Sequence, residues 1–285
     1  MTPSSLYLGL MSGTSLDGVD AVLADFASAR PTVLACVSLP YPDSLRSAVL
    51  ALQPRGDNEL DRAARLGREL AQLYAQAVHA TLAAAGVSAN QVAALGCHGQ
   101  TVRHAPHAGY TIQLGDLALL AELTGVDTIG DFRRRDLAAG GQGAPLVPAA
   151  HQAWFAHPTE ARAVLNLGGI ANFTLLPVGG EVRGFDTGPA NALMDAWCER
   201  HTGRTYDDQG AWARTGRPHG ALLDALLAEP FLALPPPKST GRDLFNPHWL
   251  EPLLAAHGLE LLPAQRMFLP AIAAALAALA LDADQ

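Results

Sequence analysis

The run Gly9-Leu10-Met11-Ser12-Gly13-Thr14-Ser15-Leu16-Asp17-Gly18-Val19-Asp20 sets a Gly/Ser/Thr turn and two carboxylates between apolar segments at the N-terminus. Leu6 to Leu10 read as one strand and Val19 to Asp25 as the next, so Ser12 to Ser15 form the tip of a hairpin. Consecutive backbone N–H groups and hydroxyls at such a tip make an anion-binding concavity that a triphosphate can approach closely. Asp17 and Asp20 are then placed to hold a hydrated magnesium ion beside it. The same residue types also form hairpin turns without any ligand, and this run alone leaves both readings open.

A later stretch repeats the pattern. After an apolar lead-in at Ala161 to Leu165, the segment Leu165-Asn166-Leu167-Gly168-Gly169-Ile170-Ala171-Asn172-Phe173 reads as strand, glycine turn, strand, and Gly184-Phe185-Asp186-Thr187-Gly188-Pro189-Ala190-Asn191 follows shortly after. Two similar hairpins imply two similar lobes. This arrangement resembles the superfamily of acetate and sugar kinases, heat-shock chaperone ATPases and actin, in which two related lobes each offer a β-hairpin to the phosphates of ATP. Within it, MSGTSLDGVD, GCHGQTVRHAP (Gly96 to Pro106), TIQLGD (Thr111 to Asp116), DFRRRDLAAGGQGAPLVP (Asp131 to Pro148), NLGGIAN and GFDTGPAN, in that order, resemble the anhydro-N-acetylmuramic acid kinase family. The resemblance runs from about Leu8 to Asn246. It implies an α/β, two-lobed actin-like (ribonuclease H-like) ATPase fold with mixed sheets flanked by helices.

Composition agrees with a chain of this kind. At 285 residues, 49% hydrophobic and 16% charged, the chain suffices for about two domains with sizeable cores. A net charge of −8 argues against nucleic acid as a partner, because a phosphate backbone calls for a clustered positive surface. The one basic cluster, Arg133 to Arg135, is flanked by Asp131 and Asp136 and reads either as a solvated loop or as an anchor for an anionic ligand. Cys36, Cys97 and Cys198 lie far apart with no CxxC spacing, so neither a disulfide framework nor a zinc site is indicated. His98, His104 and His107 likewise lack a recognisable ligand spacing. Met1 to Ser5 has none of the regions of a signal peptide, which makes the cytoplasm the expected location. The apolar run Met267 to Leu281 falls short of the roughly 20 residues that span a bilayer, so no membrane association is expected and a buried or interface helix is.

Along the chain, Thr32 to Ser38 reads as a third strand. Apolar residues at helical spacing from Asp57 to Ala85 (Leu60, Ala63, Leu66, Leu70, Leu73, Ala77, Val78, Leu82) predict a helix that stops at Gly86. Val92 to Cys97 reads as a buried strand, Asp116 to Leu123 as a helix capped by Asp116 and stopped by Gly125, and Val126 to Gly130 as a strand. Asp131 to Pro148 reads as a Gly- and Arg-rich connector leading into a helix around Ala149 to Phe155. Strands at 162–167, 171–176 and 181–186 then repeat the opening, with helices from Pro189 onward. Pro235-Pro236-Pro237 before Lys238-Ser239-Thr240-Gly241-Arg242 marks a rigid surface connection. The expected organisation is an N-terminal lobe at 1–135, a connector at 136–160 and a C-terminal lobe at 161–285.

Asp186 ends an apolar strand before Thr187-Gly188-Pro189. Its residues alone fit an N-cap of the next helix better than a catalytic base; the resemblance makes it the base, at a helix head whose N–H groups bind a substrate oxygen. The family's substrate, 1,6-anhydro-N-acetylmuramic acid, has O6 tied to its own anomeric carbon. Phosphorylation of O6 therefore implies ring opening by water at C1. The resemblance further implies that Gly13, Thr14, Ser15, Leu16, Asp17, Gly18, Val19 and Asp20 cradle the ATP phosphates, with Mg2+ at Asp17 or Asp20 through water. Gly168 and Gly169 contact the phosphates too, with Asn166 and Asn172 nearby. His98, Gln100, Asp131, Arg133 and Gln142 contact the sugar, Arg133 through bidentate pairing with its lactyl carboxylate.

The sequence departs from the family pattern in two places. Residues 259–285 contain no glycine where a Gly-rich adenosine loop is expected, so the second lobe is expected to be incomplete; Ala190 stands where the family has glycine. Alternative readings are a sugar-binding pseudokinase without an adenosine pocket, an ATPase of the chaperone or actin type, and a plain glycoside hydrolase. The resemblance also leaves room for a homodimer, with the Ala-rich tail at its interface.

Overall fold

The computed structural model describes residues 4–259; the tail segment Met267 to Leu281, read above as a helix, lies outside them. Two compact units meet at the boundary between Gly143 and Ala144, inside the stretch read as a connector.

In the first unit, β1 (Leu6–Met11), β2 (Gly18–Asp25) and β3 (Thr32–Pro40) form an antiparallel meander, followed by α1 (Asp43–Leu50), α2 (Glu59–Ala85) and β4 (Ala94–Cys97). A hairpin of β5 (Gln100–Ala105) and β6 (Tyr110–Leu114) precedes α3 (Leu117–Thr124), β7 (Thr128–Ile129) and α4 (Phe132–Ala138). The sheet runs β3-β2-β1-β4-β7, with β4 parallel to β1 and β7 parallel to β4. A meander extended on its first strand by parallel strands is the ribonuclease H-like order. Alternation explains β2: Val19, Ala21 and Leu23 are buried and Asp20 is exposed. Leu66, Leu70, Tyr74, Val78 and Leu82 of α2 cover that buried face. Leu60, counted above with this stripe, is 90% exposed on the first turn of α2. Gly86 ends α2 in the left-handed region at φ 65°, with Val87 N–H bonded to Leu82 O. Asp116 caps α3 by accepting from Leu119 N–H at 2.9 Å.

The second unit contains α5 (Pro148–Phe155) and then β8 (Arg162–Leu167), β9 (Ile170–Leu176) and β10 (Arg183–Pro189) in an antiparallel sheet. Its helices are α6 (Asn191–Thr202), α7 (Gly220–Leu227) and α8 (Pro247–Ala256), packed around Leu193, Trp197, Leu222, Phe231, Phe245 and Leu250.

The structure corrects the sequence reading in three places. The stretch after Gly99, given no element above, is a hairpin, Asp131 to Pro148 contains α4, and the strand carrying Asp186 continues to Pro189, so that α6 starts only at Asn191. Among the described residues no helix is long and apolar enough to cross a membrane.

Candidate active site

The turn between β1 and β2 is held from both sides. Ser15 Oγ (2.7 Å) and Gly18 N–H (3.0 Å) donate to Asp17 Oδ1, and Tyr41 N–H donates to the Asp17 carbonyl at 3.1 Å. Ser38 Oγ donates to Asp20 Oδ1 from the neighbouring strand. Behind the tip, Ser12 Oγ donates to Gly99 O at 3.1 Å, so its one proton is committed and the Tyr74 hydroxyl at 2.7 Å donates to it. Tyr41 Oη donates to Gln100 Oε1 at 2.9 Å, and Gln100 Nε2 donates to Gly13 O at 3.2 Å. Burial pushes both tyrosine hydroxyls above their ordinary pKa, which keeps them protonated as donors.

Three residues assigned to ligands above turn inward here. Leu16 (φ 60°) and Val19 are each 1% exposed and belong to the core, which leaves only their backbones to face a ligand. Gln100 is fully buried, and its amide braces the tip instead of meeting the surface. Gln100→Leu strips partners from Gly13 O and Tyr41 Oη, and a urea melt is expected to show a loss of about 1–3 kcal/mol.

A second cluster joins β4 to α4. Arg133 Nε donates to His98 Nε2 at 2.8 Å, and a guanidinium cannot accept, so the His98 proton lies on Nδ1 and is donated to Gly99 O at 2.6 Å. Burial, then the Arg133 charge, push His98 down to about 4, against a smaller opposing effect of the Gly99 bond. Arg133 Nη1 donates to Gly143 O at 2.6 Å, and Gly143 N–H donates to Asp136 Oδ2 at 2.7 Å. Gly143 makes this loop at φ 73°, a conformation that suits glycine. His98, Arg133 and the backbone of Gly143, the residue after Gln142, are thus brought together. Asp131 is exposed and pairs with Arg134 at 2.9 Å, while Gln100 belongs to the other network.

The neutral His98 has a consequence for pH. Its ordinary value is 6.5 and its folded value about 4, so between these the unfolded chain binds the extra proton. Its contribution is complete above pH 6.5 and is lost as pH falls toward 4, up to about 3 kcal/mol. Thermal melts across that range are expected to show this slope, and His98→Gln to flatten it.

In the second unit the register pairs Asn166 with Asn172 and Asn172 with Asp186, a polar row across three strands. Asp186 is 5% exposed. Its N–H donates to Lys238 O at 3.0 Å and its Oδ2 accepts from Thr240 N–H at 3.0 Å. The expected helix-head position is corrected: Asp186 lies within β10, beside a bulge, and does not cap α6. The N–H groups at the start of α6 are spent on the glycine turn, Asn191 donating to Gly168 O (2.9 Å) and Ala190 and Ala192 to Gly169 O (3.2 Å each). Ala190, where the family has glycine, precedes α6 at φ −132° and ψ −116°, outside the helical and extended regions. The sequence reading missed Lys238 and Thr240, because a proline-rich lead-in looks like a linker and the contact to Asp186 spans 54 residues.

Two α/β units, one with a ribonuclease H-like sheet and each containing a hairpin with a glycine turn, define an actin-like architecture. A family model described as anhydro-N-acetylmuramic acid kinase matches residues 5–280, and the chain belongs to that family. The match extends past Asn246, where the resemblance was read to end. An anhydro-N-acetylmuramic acid kinase of Bordetella petrii is 61% identical over 258 residues, covering 90% of this chain and 68% of the relative. One of Chromobacterium violaceum is 58% identical over 254 residues, covering 89% and 69%. The chain therefore spans about two thirds of the length of these relatives. Among solved structures, a Ppx/GppA family member of Aquifex aeolicus is similar at TM-score 0.38 and 11% identity, covering 99% of this chain and 91% of that one.

Proposed function

We propose that this chain uses ATP to open 1,6-anhydro-N-acetylmuramic acid and phosphorylate its O6, giving N-acetylmuramic acid 6-phosphate and ADP, a step of murein recycling. The observation that carries the reading is Asp186: a buried aspartate held by two hydrogen bonds to the backbone of residues 238–240, one of them to its carboxylate, at the end of a polar row, in a chain of this family. Asp186 takes a proton from the water that attacks C1. The C1–O6 bond breaks, O6 attacks the γ-phosphorus, and the bond from that phosphorus to ADP breaks. Phosphoryl transfer thereby consumes the charge developing on O6.

The tip Gly13 to Asp20 receives ATP phosphates through backbone N–H groups and the Thr14 hydroxyl, with the Ser15 hydroxyl proton held by Asp17, and the Gly168-Gly169 turn serves the phosphates as well. Among the described residues no three His, Cys, Asp or Glu side chains converge to hold a metal. Asp17 and Asp20 each have one oxygen already anchored by the protein, a donor set that fits a largely hydrated Mg2+ on one carboxylate rather than a protein cage. When bound, magnesium neutralises phosphate charge. Arg133, held by His98 and Gly143, offers its guanidinium to the lactyl carboxylate, with Gln142 and Asp131 at the rim.

Asn172 Oδ1 is buried and, among the described residues, accepts no hydrogen bond. An acceptor left unpaired beside a base suits a water or a sugar hydroxyl. Asn172→Ala is expected to change stability by less than about 1 kcal/mol while lowering kcat/KM on the order of tenfold, read by melts and steady-state kinetics. The function itself is tested by ADP release: it should require the anhydro sugar and yield a product heavier by one water and one phosphoryl group. ADP release at the same rate without sugar would contradict it.

A further inference from the structure

We propose that Lys238 is a positioning residue for Asp186, acting through the strap Lys238-Ser239-Thr240 and not on the substrate; the inference rests on the reading of Asp186 as the base. The strap grips Asp186 at two points, its backbone N–H through Lys238 O and its carboxylate through Thr240 N–H, both at 3.0 Å. Two such bonds at opposite ends of one residue fix both the height of the strand and the rotation of the carboxylate. A strap grips only as well as it is itself held.

Lys238 supplies that hold. Its Nζ donates to Phe231 O (3.2 Å) and Leu232 O (2.9 Å) and lies over the Phe231 ring, 4.8 Å from its centroid. A charged donor to two carbonyls and an aromatic face makes a stronger tether than a neutral side chain of equal length. The anchor point is packed into the core of the second unit. Phe231 is 8% exposed and meets Phe245 edge to face at 5.8 Å, Phe245 meets Trp249 at 5.0 Å, and Trp249 Nε1 donates to Glu229 Oε2 at 2.8 Å. The far end of the strap enters the same core, since Phe245 N–H donates to Gly241 O at 3.0 Å. The strap is thus tied down on both sides of Thr240.

The test compares Lys238→Met, Lys238→Arg and Asp186→Asn, singly and with Lys238→Met combined with Asp186→Asn, in the 285-residue chain. Lys238→Met is expected to lower kcat on the order of 10- to 100-fold with KM for sugar and ATP changed less than about threefold, and Lys238→Arg to recover part of the loss. Because Lys238 acts through Asp186, the double variant is expected to be no slower than Asp186→Asn alone. Multiplying losses in the double variant, or a raised KM at unchanged kcat, overturns the inference. Hydrogen exchange at the Thr240 amide reads the strap without turnover: Lys238→Met should speed it on the order of tenfold, and unchanged exchange overturns the inference. Asp186→Asn at the full rate would instead remove the base reading, an outcome distinct from either.

Discussion

Asp186→Asn is expected to lower kcat about 10²- to 10⁴-fold, the range general-base removal commands, while sugar and nucleotide affinity stay within a few-fold of the unaltered chain. The amide has the shape of the carboxylate, and its oxygen still accepts from Thr240 N–H, so the grip of the strap survives. What is lost is the proton acceptor. Steady-state ADP release measures the loss, calorimetric titration of sugar checks that the site remains, and a thermal melt checks that β10 remains folded. A variant that binds sugar, melts normally and turns over at the original rate would take the base role away from Asp186.

Gly18→Ala is expected to be the most damaging single methyl in the first unit. A Cβ at Gly18 would sit 2.2 Å from Leu39 O and 3.0 Å from the Pro40 Cα, both backbone atoms of the paired strand β3. Neither can swing aside as a side chain would. The β2–β3 ladder must separate locally, at a cost of about 3 kcal/mol or more, and Asp17 shifts with it. Gly9→Ala is the control, because a Cβ there meets nothing within 4 Å. Urea midpoints should separate the two variants clearly, and ATP affinity should fall only in Gly18→Ala. Equal midpoints would mean that the strands part at no cost.

The sequence disclosed those parts of the fold whose cause is local. Both hairpins, the long helix α2 with its Gly86 stop, and the Asp116 cap of α3 follow from periodicity, glycine position and capping side chains within a few residues. The hairpin of β5 and β6 is obscured because Thr101, Arg103, His104 and Gln113 put polar groups where alternation would show apolar ones; they bond to side chains across the hairpin or to the Leu52 carbonyl. The helix α4 hid behind the charge of Arg133 to Arg135. Pro189 suggested a helix start, but the strand runs through it and the first helical turn is bonded to the Gly168-Gly169 turn.

Site residues divide in the same way. Asp186 and Arg133 were recognisable from motif context, and the structure supplies what surrounds each. The inward turn of Gln100, the neutral state of His98 and the strap over Asp186 depend on partners 87, 35 and 54 residues away, and no local pattern records such contacts.

The most direct test of the account is a single turnover of 1,6-anhydro-N-acetylmuramic acid with ATP and magnesium in heavy-oxygen water, quenched early and read by mass spectrometry with fragmentation. The account predicts one heavy oxygen on C1 of the phosphorylated sugar and none in the phosphoryl group, because water attacks carbon while O6 of the sugar takes the phosphorus. Heavy oxygen in inorganic phosphate, with the sugar ring still closed, would contradict it: water would then be attacking ATP, and the chain would be an ATPase that leaves its sugar untouched.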